Sequence, residues 1–154
     1  MHNIATQVLC QETGIAPEMV EVIADTTAGI PTGMTTSSRA TALLGNAILD
    51  ASKQIREDLK YKSLQQLSGK IYKGNYTCDW TTKPGAEVKE IITHFAYGYA
   101  TQLVVLDENG KIETVYAAHD AGKIMNPVMF EGQIEGAVHM GLGYALTEDL
   151  PMID

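Results

Sequence analysis

The segment from His119 to Gly136 concentrates residues that could hold a large polar ligand. It contains Asp120-x-Gly122-x-x-x-Asn126-Pro127, followed by Gly132-Gln133-Ile134-Glu135-Gly136. Glycine lets a backbone approach a ligand closely, and the amide of Gln133 can donate and accept hydrogen bonds at once, which suits the edge of a pterin or purine. For Asp120 and Asn126 we favour the alternative of an Asx-type turn. Nothing in the pattern requires Glu135 to act as a catalytic base.

A second candidate site lies where a loop is predicted to enter a helix, at residues 35–41. Five of these seven residues carry hydroxyl groups: Thr35, Thr36, Ser37, Ser38 and Thr41. The free amides of a helix start, joined by hydroxyls, can bind a phosphate or a polar heterocycle, and Arg39 adds a fixed charge if it turns inward. Helix capping by Ser37 or Ser38, together with ordinary loop polarity, is the competing explanation and the one favoured by the pattern alone.

Composition and charge exclude several classes of protein. The chain has 154 residues, 45% of them hydrophobic and 19% charged, which suits one globular domain with a sizeable core. Its net charge of −8 argues against a nucleic-acid or anionic-membrane surface. Two cysteines and four scattered histidines provide neither a disulfide framework nor a metal site held by side chains. Without a signal peptide or a membrane-length apolar run, we predict a soluble, cytoplasmic protein.

Hydrophobic periodicity and turn residues predict alternating helices and strands. The fold predicted is α+β, a layered α/β domain with a mixed sheet, and residues 1–154 form one domain or a piece of one. Helices are predicted at Ile4–Glu12, Ser38–Lys60 and Phe130–Leu146. Strands are predicted at Val20–Asp25, Gly69–Thr82 (irregular), Ile91–Leu106 and Lys111–Ala118, the last two joined by a hairpin loop at Asp107–Gly110.

Taken in order, these segments resemble the molybdenum-cofactor-binding subunit of the xanthine dehydrogenase and aldehyde oxidase family, in its C-terminal part. The resemblance runs over nearly the whole chain. It is carried by Asp25-Thr26 with Pro31-Thr32-Gly33, Ser37-Ser38-Arg39-Ala40-Thr41 with Gly45-Asn46-Ala47, the hairpin at 100–110, and the block from Asp120 through Gly132-Gln133-x-Glu135-Gly136 to Glu148. The last block is the most specific.

The resemblance implies a cofactor, a chemistry and a set of contacts. In the family, molybdenum held by a pterin dithiolene hydroxylates a purine or an aldehyde at an electron-poor carbon, and electrons leave through iron–sulfur clusters and flavin on other domains or subunits. Carried over, Ser38, Ala40 and Thr41 contact the pterin or its phosphate, and Ser37 lies near the metal. Arg39 completes this segment, and Gln133 binds the cofactor from the other side.

Departures from the family pattern define the remaining expectations. The chain starts just after the family's Gly-Gln-Gly loop and stops before the Gly-x-Gly-Glu segment that supplies the catalytic glutamate. We therefore assign no catalytic residue, and Glu135 is not the counterpart of that glutamate. Ser37 replaces the common glycine, and Ala40 the common serine.

These departures predict a chain that supplies cofactor contacts and is inactive alone. Its expected partners are the remainder of the molybdenum subunit, iron–sulfur and flavin subunits, a small heterocyclic substrate and further copies of itself, because apolar faces would be left uncovered. A xanthine dehydrogenase is favoured. The alternatives are an aldehyde, carbon monoxide or nicotinate-type hydroxylase, and a non-catalytic binding or assembly domain.

Overall fold

The computed structural model of the chain describes residues 2–30, 39–83, 85–93 and 97–152. These residues form two compact units, residues 1–96 and 97–154, and each is considered by itself. The elements are α1 (His2–Thr13), α2 (Ala40–Leu59), β1 (Tyr99–Leu106), β2 (Ile112–Asp120) and α3 (Pro127–Leu146), with 3₁₀ turns at Pro17–Met19 and Leu64–Leu67. The α+β class is confirmed. Within the described residues the sheet consists of β1 and β2, paired antiparallel.

The first unit is built on the packing of α1 against α2. Ile4, Ala5 and Val8 lie on one face of α1 at helical spacing and are buried. Complete burial of a side chain such as valine contributes about 1.5–3 kcal/mol. An ion pair of 3.3 Å between Arg56 Nη1 and Glu12 Oε2 bridges the two helices at the surface. The predicted first helix is confirmed and is slightly longer than its apolar pattern.

The start of α2 differs from the prediction. The helix begins at Ala40 rather than Ser38, and its N-cap is Arg39, whose side chain makes no capping hydrogen bond. The predicted serine cap falls on Ser37 or Ser38, and both lie outside the described residues.

Two predicted strands are absent from the described part of the first unit. Residues 20–25 follow a 3₁₀ turn as irregular chain, and residues 71–79 belong to no strand or helix. Strand-like sequence makes a ladder only when a neighbouring strand accepts its backbone hydrogen bonds, and here the partner of residues 70–75 is a helix.

The extended segment 70–75 is held along one face of α2. Gln54 Nε2 donates to the carbonyl oxygen of Lys73 at 2.9 Å, and the amide of Asn75 donates to Asp50 Oδ2 at 3.1 Å. Residues 50, 54 and 58 follow one another at a spacing of four, so their side chains share a helical face. Gln54 is exposed and at the same time anchors this segment.

A cluster of three polar side chains secures the beginning of the same segment. Asp58 accepts from Lys70 Nζ and from the Tyr72 hydroxyl, the latter at 2.6 Å. The Lys70 ammonium also lies 4.9 Å from the centroid of the Tyr72 ring, a cation–π distance. The hydrogen bond from Lys70, followed by that from Tyr72, lowers the pKa of Asp58 below its ordinary value. The same contact with Asp58 raises the pKa of Lys70.

In the second unit, β1 and β2 form the hairpin that Asp107-Glu108-Asn109-Gly110 predicts. Asp107 Oδ1 accepts from the amides of Asn109 and Lys111 at 2.9 and 2.7 Å, and these bonds, chiefly that from Lys111, lower the pKa of Asp107. Gly110 closes the turn with a φ of +77°, which glycine adopts without steric cost. Val104 lies opposite Val115 in the register, and Leu103 opposite Tyr116.

None of the helices in the described ranges combines the length and the apolarity that a bilayer crossing requires.

Replacing Gly74 by alanine should destabilise the first unit. An added Cβ would lie 1.9 Å from the Ala47 carbonyl oxygen and 2.9 Å from the Ala51 amide nitrogen, so the segment would have to leave α2. We expect a loss of about 1–3 kcal/mol or more in the free energy of unfolding, measured by urea denaturation. Gly45→Ala is the matched control, because a Cβ at that helical position meets nothing within 4 Å. It should stabilise α2 by about 1 kcal/mol. Equal effects of both substitutions would contradict the observed close approach.

Asp58→Asn should reduce stability at neutral pH and much less in acid. Because the folded-state pKa of Asp58 is lowered below 3.8, its stabilisation is complete above that ordinary value and is lost as the pH falls through the lowered pKa. Urea denaturation between about pH 7 and about pH 2 should therefore show the difference from wild type shrinking in acid. Asp149→Asn, at an exposed position, controls for the change in net charge. A difference independent of pH would rule out the ionised cluster as its cause.

Candidate functional site

The junction between β2 and α3 turns sharply at the predicted Asp-x-Gly step. Asp120, the last residue of β2, accepts at Oδ1 from the amide of Gly122 at 3.0 Å. Gly122 has a φ of +67°, a backbone region that glycine enters without steric penalty. The interpretation of Asp120 as an Asx-turn residue is confirmed. Its carboxylate holds the turn that leads into α3.

Asn126 and Pro127 start α3. The Asn126 side chain accepts at Oδ1 from the amide of Met129 at 3.1 Å, and its carbonyl oxygen accepts from the amide of Phe130 at 3.0 Å. Pro127 occupies the first helical position, where its missing N–H has no cost. The helix therefore starts three residues before the predicted Phe130. The Asn-Pro pair marks this start, whereas the apolar periodicity used for the prediction begins only at Phe130.

The second and third turns of α3 present Gln133 on an open surface. Gln133 is exposed, and a Cβ added at Gly132 or Gly136 would meet nothing within 4 Å. Each of these glycines lowers the stability of the helix by about 1 kcal/mol relative to alanine. No close contact inside the second unit compensates for that loss. An open, side-chain-free surface beside an amide that both donates and accepts fits the approach of a flat polar heterocycle.

The other predicted contacts lie at the start of α2. Arg39 and Ala40 are half-buried and Thr41 is exposed, while Ser37 and Ser38 fall outside the described residues. The first bond of the helix joins the Leu43 amide to the Arg39 carbonyl oxygen at 3.0 Å. In any α-helix the amides before that point, here those of Ala40, Thr41 and Ala42, have no partner within the helix. This terminus can donate to phosphate or to a ring oxygen.

The predicted site residues divide between the two units. Arg39, Ala40 and Thr41 are brought together in the first unit by the start of α2, whereas Gln133 belongs to α3 in the second. Glu135 is exposed on the same helix. Among the described residues, no group of three or more His, Cys, Asp or Glu side chains could hold a metal ion.

The structure also pairs two side chains that the sequence did not bring together. Gln102 Nε2 and His119 Nε2 lie 2.9 Å apart at the rim of a cavity of about 280 Å³ between the hairpin and α3. Val104, Val115, Val138 and Leu142 give the cavity its apolar walls. Alternation along β1 places residues 102 and 104 on one face, and alternation along β2 does the same for residues 115 and 119. Which residues of β1 meet which residues of β2 depends on the register between the strands, and the sequence did not give that register.

Comparison with known proteins identifies the family. Two stretches of the chain, residues 1–71 and 60–154, match the molybdopterin cofactor-binding domain family. Together they span the whole chain, so the chain belongs to this family, and the resemblance drawn from its motifs is confirmed. The family is named for the molybdopterin cofactor that its domain binds.

Relatives of known name are distant but match along nearly all of the chain. The chain is 26% identical to a probable xanthine dehydrogenase subunit of Bacillus subtilis (strain 168), with 96% of the chain and 24% of the relative aligned. It is 25% identical to the carbon monoxide dehydrogenase large chain of Hydrogenophaga pseudoflava, over 94% of the chain and 22% of the relative. It is also 25% identical to the gamma subunit of the 6-hydroxypseudooxynicotine dehydrogenase complex of Paenarthrobacter nicotinovorans, over 97% of the chain and 23% of the relative.

The chain thus spans about a quarter of the length of these relatives. The alignments run over 182 to 184 residues, more than the 154 of the chain, so each relative has residues within the matched stretch that lack a counterpart here. No solved structure matches the chain.

Removing the cap of α3 should loosen the helix that carries Gln133. Asn126→Ala deletes the acceptor for the Met129 amide, and we expect a loss of about 1 kcal/mol in unfolding free energy. Asn126→Asp is the matched control, because a carboxylate accepts the same bond and is favoured at a helix N-terminus. Urea denaturation followed by far-UV circular dichroism measures both variants. An aspartate variant as unstable as the alanine variant would show that the cap is not the cause.

Proposed function

We propose that this chain is the cofactor-holding part of a molybdenum hydroxylase, of the xanthine dehydrogenase type. The observation that carries the proposal is the family match across both ranges, because it includes both the start of α2 and the Gln133 segment. Residues 1–154 act as one molybdopterin-binding domain or domain fragment. The complete enzyme hydroxylates a purine or another N-heterocycle at an electron-poor carbon.

Two sets of groups would hold the pterin cofactor. At the start of α2, the amides of Ala40 and Thr41 donate to its phosphate or ring, the hydroxyl of Thr41 adds a further donor, and Arg39 supplies positive charge. Ser37 and Ser38 precede this helix directly in sequence and extend the same set. On α3, Gln133 uses its amide to accept and donate at the heterocycle edge, which the neighbouring glycines leave accessible.

The cofactor, when bound, supplies molybdenum chemistry that inserts oxygen into the substrate, and the protein orients it. The residues of this chain bind and position the cofactor. We assign none of them as the catalytic base: Glu135 lies on an exposed stretch of α3, two residues from a proposed cofactor contact, and matches no catalytic motif. The isolated chain should therefore hold cofactor without turning over substrate.

The names of the relatives bear on the class of substrate. The three relatives carry names that refer to xanthine, to carbon monoxide and to 6-hydroxypseudooxynicotine. We favour a purine or a related heterocycle, with aldehyde, carbon monoxide and nicotinate-type hydroxylation as alternatives within the same chemistry. A non-catalytic binding or assembly domain that retains the fold is the alternative outside it.

The proposed assembly includes further subunits. Two of the relatives are named as subunits, one of them of a complex, and the third as a large chain, so they work within multi-subunit enzymes. By analogy we propose that this chain joins the remainder of a molybdenum subunit, with iron–sulfur clusters and flavin on other domains or subunits. The acidic composition and the two free cysteines agree with a cytoplasmic location.

Cofactor content tests the binding role directly. The chain is produced in a bacterial host that makes the molybdenum cofactor, and pterin and molybdenum are measured in the purified protein. We expect pterin above background, lowered about threefold to tenfold by Gln133→Ala through the loss of a hydrogen bond. Gln11→Ala, at an exposed glutamine of α1, is the matched control and should leave the content unchanged. A folded chain without pterin would contradict the cofactor-holding role and favour the non-catalytic domain.

Activity measurements test the absence of a catalytic base. The purified chain should give no turnover of xanthine or of an aldehyde with an artificial electron acceptor, even when pterin is bound. Turnover above a chain-free control would overturn this assignment and point to a base among the residues present, with Glu135→Gln the first variant to compare.

A further inference from the structure

The outer edge of β1 is an unprotected strand edge. Within the described residues the sheet has two strands, so one side of β1 pairs with β2 and its other side has no strand neighbour. Natural sheets protect such edges with charged residues, prolines or bulges. β1, Tyr99-Ala100-Thr101-Gln102-Leu103-Val104-Val105-Leu106, contains no charge and no proline, and its one irregularity falls at Val105/Leu106, the far end.

The surroundings of this edge are also uncharged. Residues 97–106 contain no Asp, Glu, Lys or Arg, although the whole chain carries a net charge of −8. β2, by contrast, carries the carboxylates of Glu113 and Asp120. Two copies of an acidic chain repel each other over most of their surface, and the repulsion is weakest where both present an uncharged strip.

Side-chain exposure along β1 agrees with a missing neighbour. Tyr99 is 80% exposed and Leu103 57% exposed. Strand alternation places Tyr99 and Leu103, with Tyr116 opposite Leu103, on the face away from the cavity beneath α3. An isolated hairpin is at best marginally stable in water, whereas a sheet of three or more strands with an apolar face can be stable.

We propose that the β1 edges of two copies of this chain pair antiparallel about a two-fold axis, forming a four-stranded sheet in the order β2-β1-β1-β2. The occupant is a second copy because the strand is complementary to itself. With either Gln102 or Leu103 on the axis, every pair formed within residues 99–106 joins uncharged side chains. An axis through Leu103 also brings the two Leu103 side chains together and extends the apolar face around Tyr116. This interface is independent of cofactor and of hydroxylase activity.

The test uses the 154-residue chain in sedimentation velocity and light scattering over a range of concentrations. A monomer–dimer equilibrium is expected, and it should strengthen as salt screens the repulsion between the acidic copies. Hydrogen exchange should show that alternate amides of β1 gain protection with increasing concentration while those of β2 do not. A chain that stays monomeric at the highest concentration and salt overturns the proposal, as does association that weakens with salt.

A matched pair of variants identifies the edge. Leu103→Lys and Tyr116→Lys each remove one partner of the same cross-strand pair, at similar exposures of 57% and 60%. The two variants should therefore weaken the hairpin similarly. Only the lysine at 103 sets like charges against each other across the axis, so Leu103→Lys should raise the dimer dissociation constant at least about tenfold and Tyr116→Lys at most about threefold.

The other outcomes assign association to a different surface. Equal weakening by both variants would place the contact on the face of the hairpin, and no effect of either would place it on α1, α2 or α3. Both results overturn the edge proposal. Neither bears on cofactor binding, which Gln133→Ala tests separately.

Discussion

Too little apolar surface is buried within the described residues for packing alone to hold the elements in place. Ile4, Ala5, Val8 and Leu67 are the apolar side chains buried there, three of them on α1. The remaining order depends on polar groups that satisfy backbone donors at turns and helix ends. Asp107, Asp120 and Asn126 each accept from amides of the turn or helix that follows them. Each such hydrogen bond contributes only about 1 kcal/mol to stability, so the second unit is stabilised by several weak interactions.

The same shortage of burial explains why so much apolar surface faces solvent. α3 contains no buried residue although its composition is strongly apolar, and both strands of the hairpin expose large side chains. Exposed apolar patches of this kind mark surfaces that neighbours cover. Each of the three relatives described is about four times as long as the stretch it shares with this chain. The β1 edge, which the proposal above assigns to a second copy of the chain, belongs to one of these exposed surfaces.

Local signals predicted the second unit well because its structure is local. Asp107 to Gly110, Asp120 with Gly122, and Asn126 with Pro127 each act within four residues, so their geometry follows from residue type and spacing. The segments at 39–41 and 133 lie at a helix start and on a glycine-rich helix, as expected, while their contacts with a cofactor stay predictions. The serines of the first segment lie outside the described residues, so their role stays a prediction.

The amino-acid sequence by itself determined the helices, the hairpin, the turn chemistry and the family, because periodicity, capping residues and motif order are properties of neighbouring residues. Only the tertiary structure decided which elements became partners. The segment around Gly74 has the composition of a strand, yet it lies against α2, where Gln54 and Asp50 bind its backbone. Gln102 likewise met His119 through cross-strand register. Such pairings depend on residues distant in the chain, whose approach no local pattern specifies.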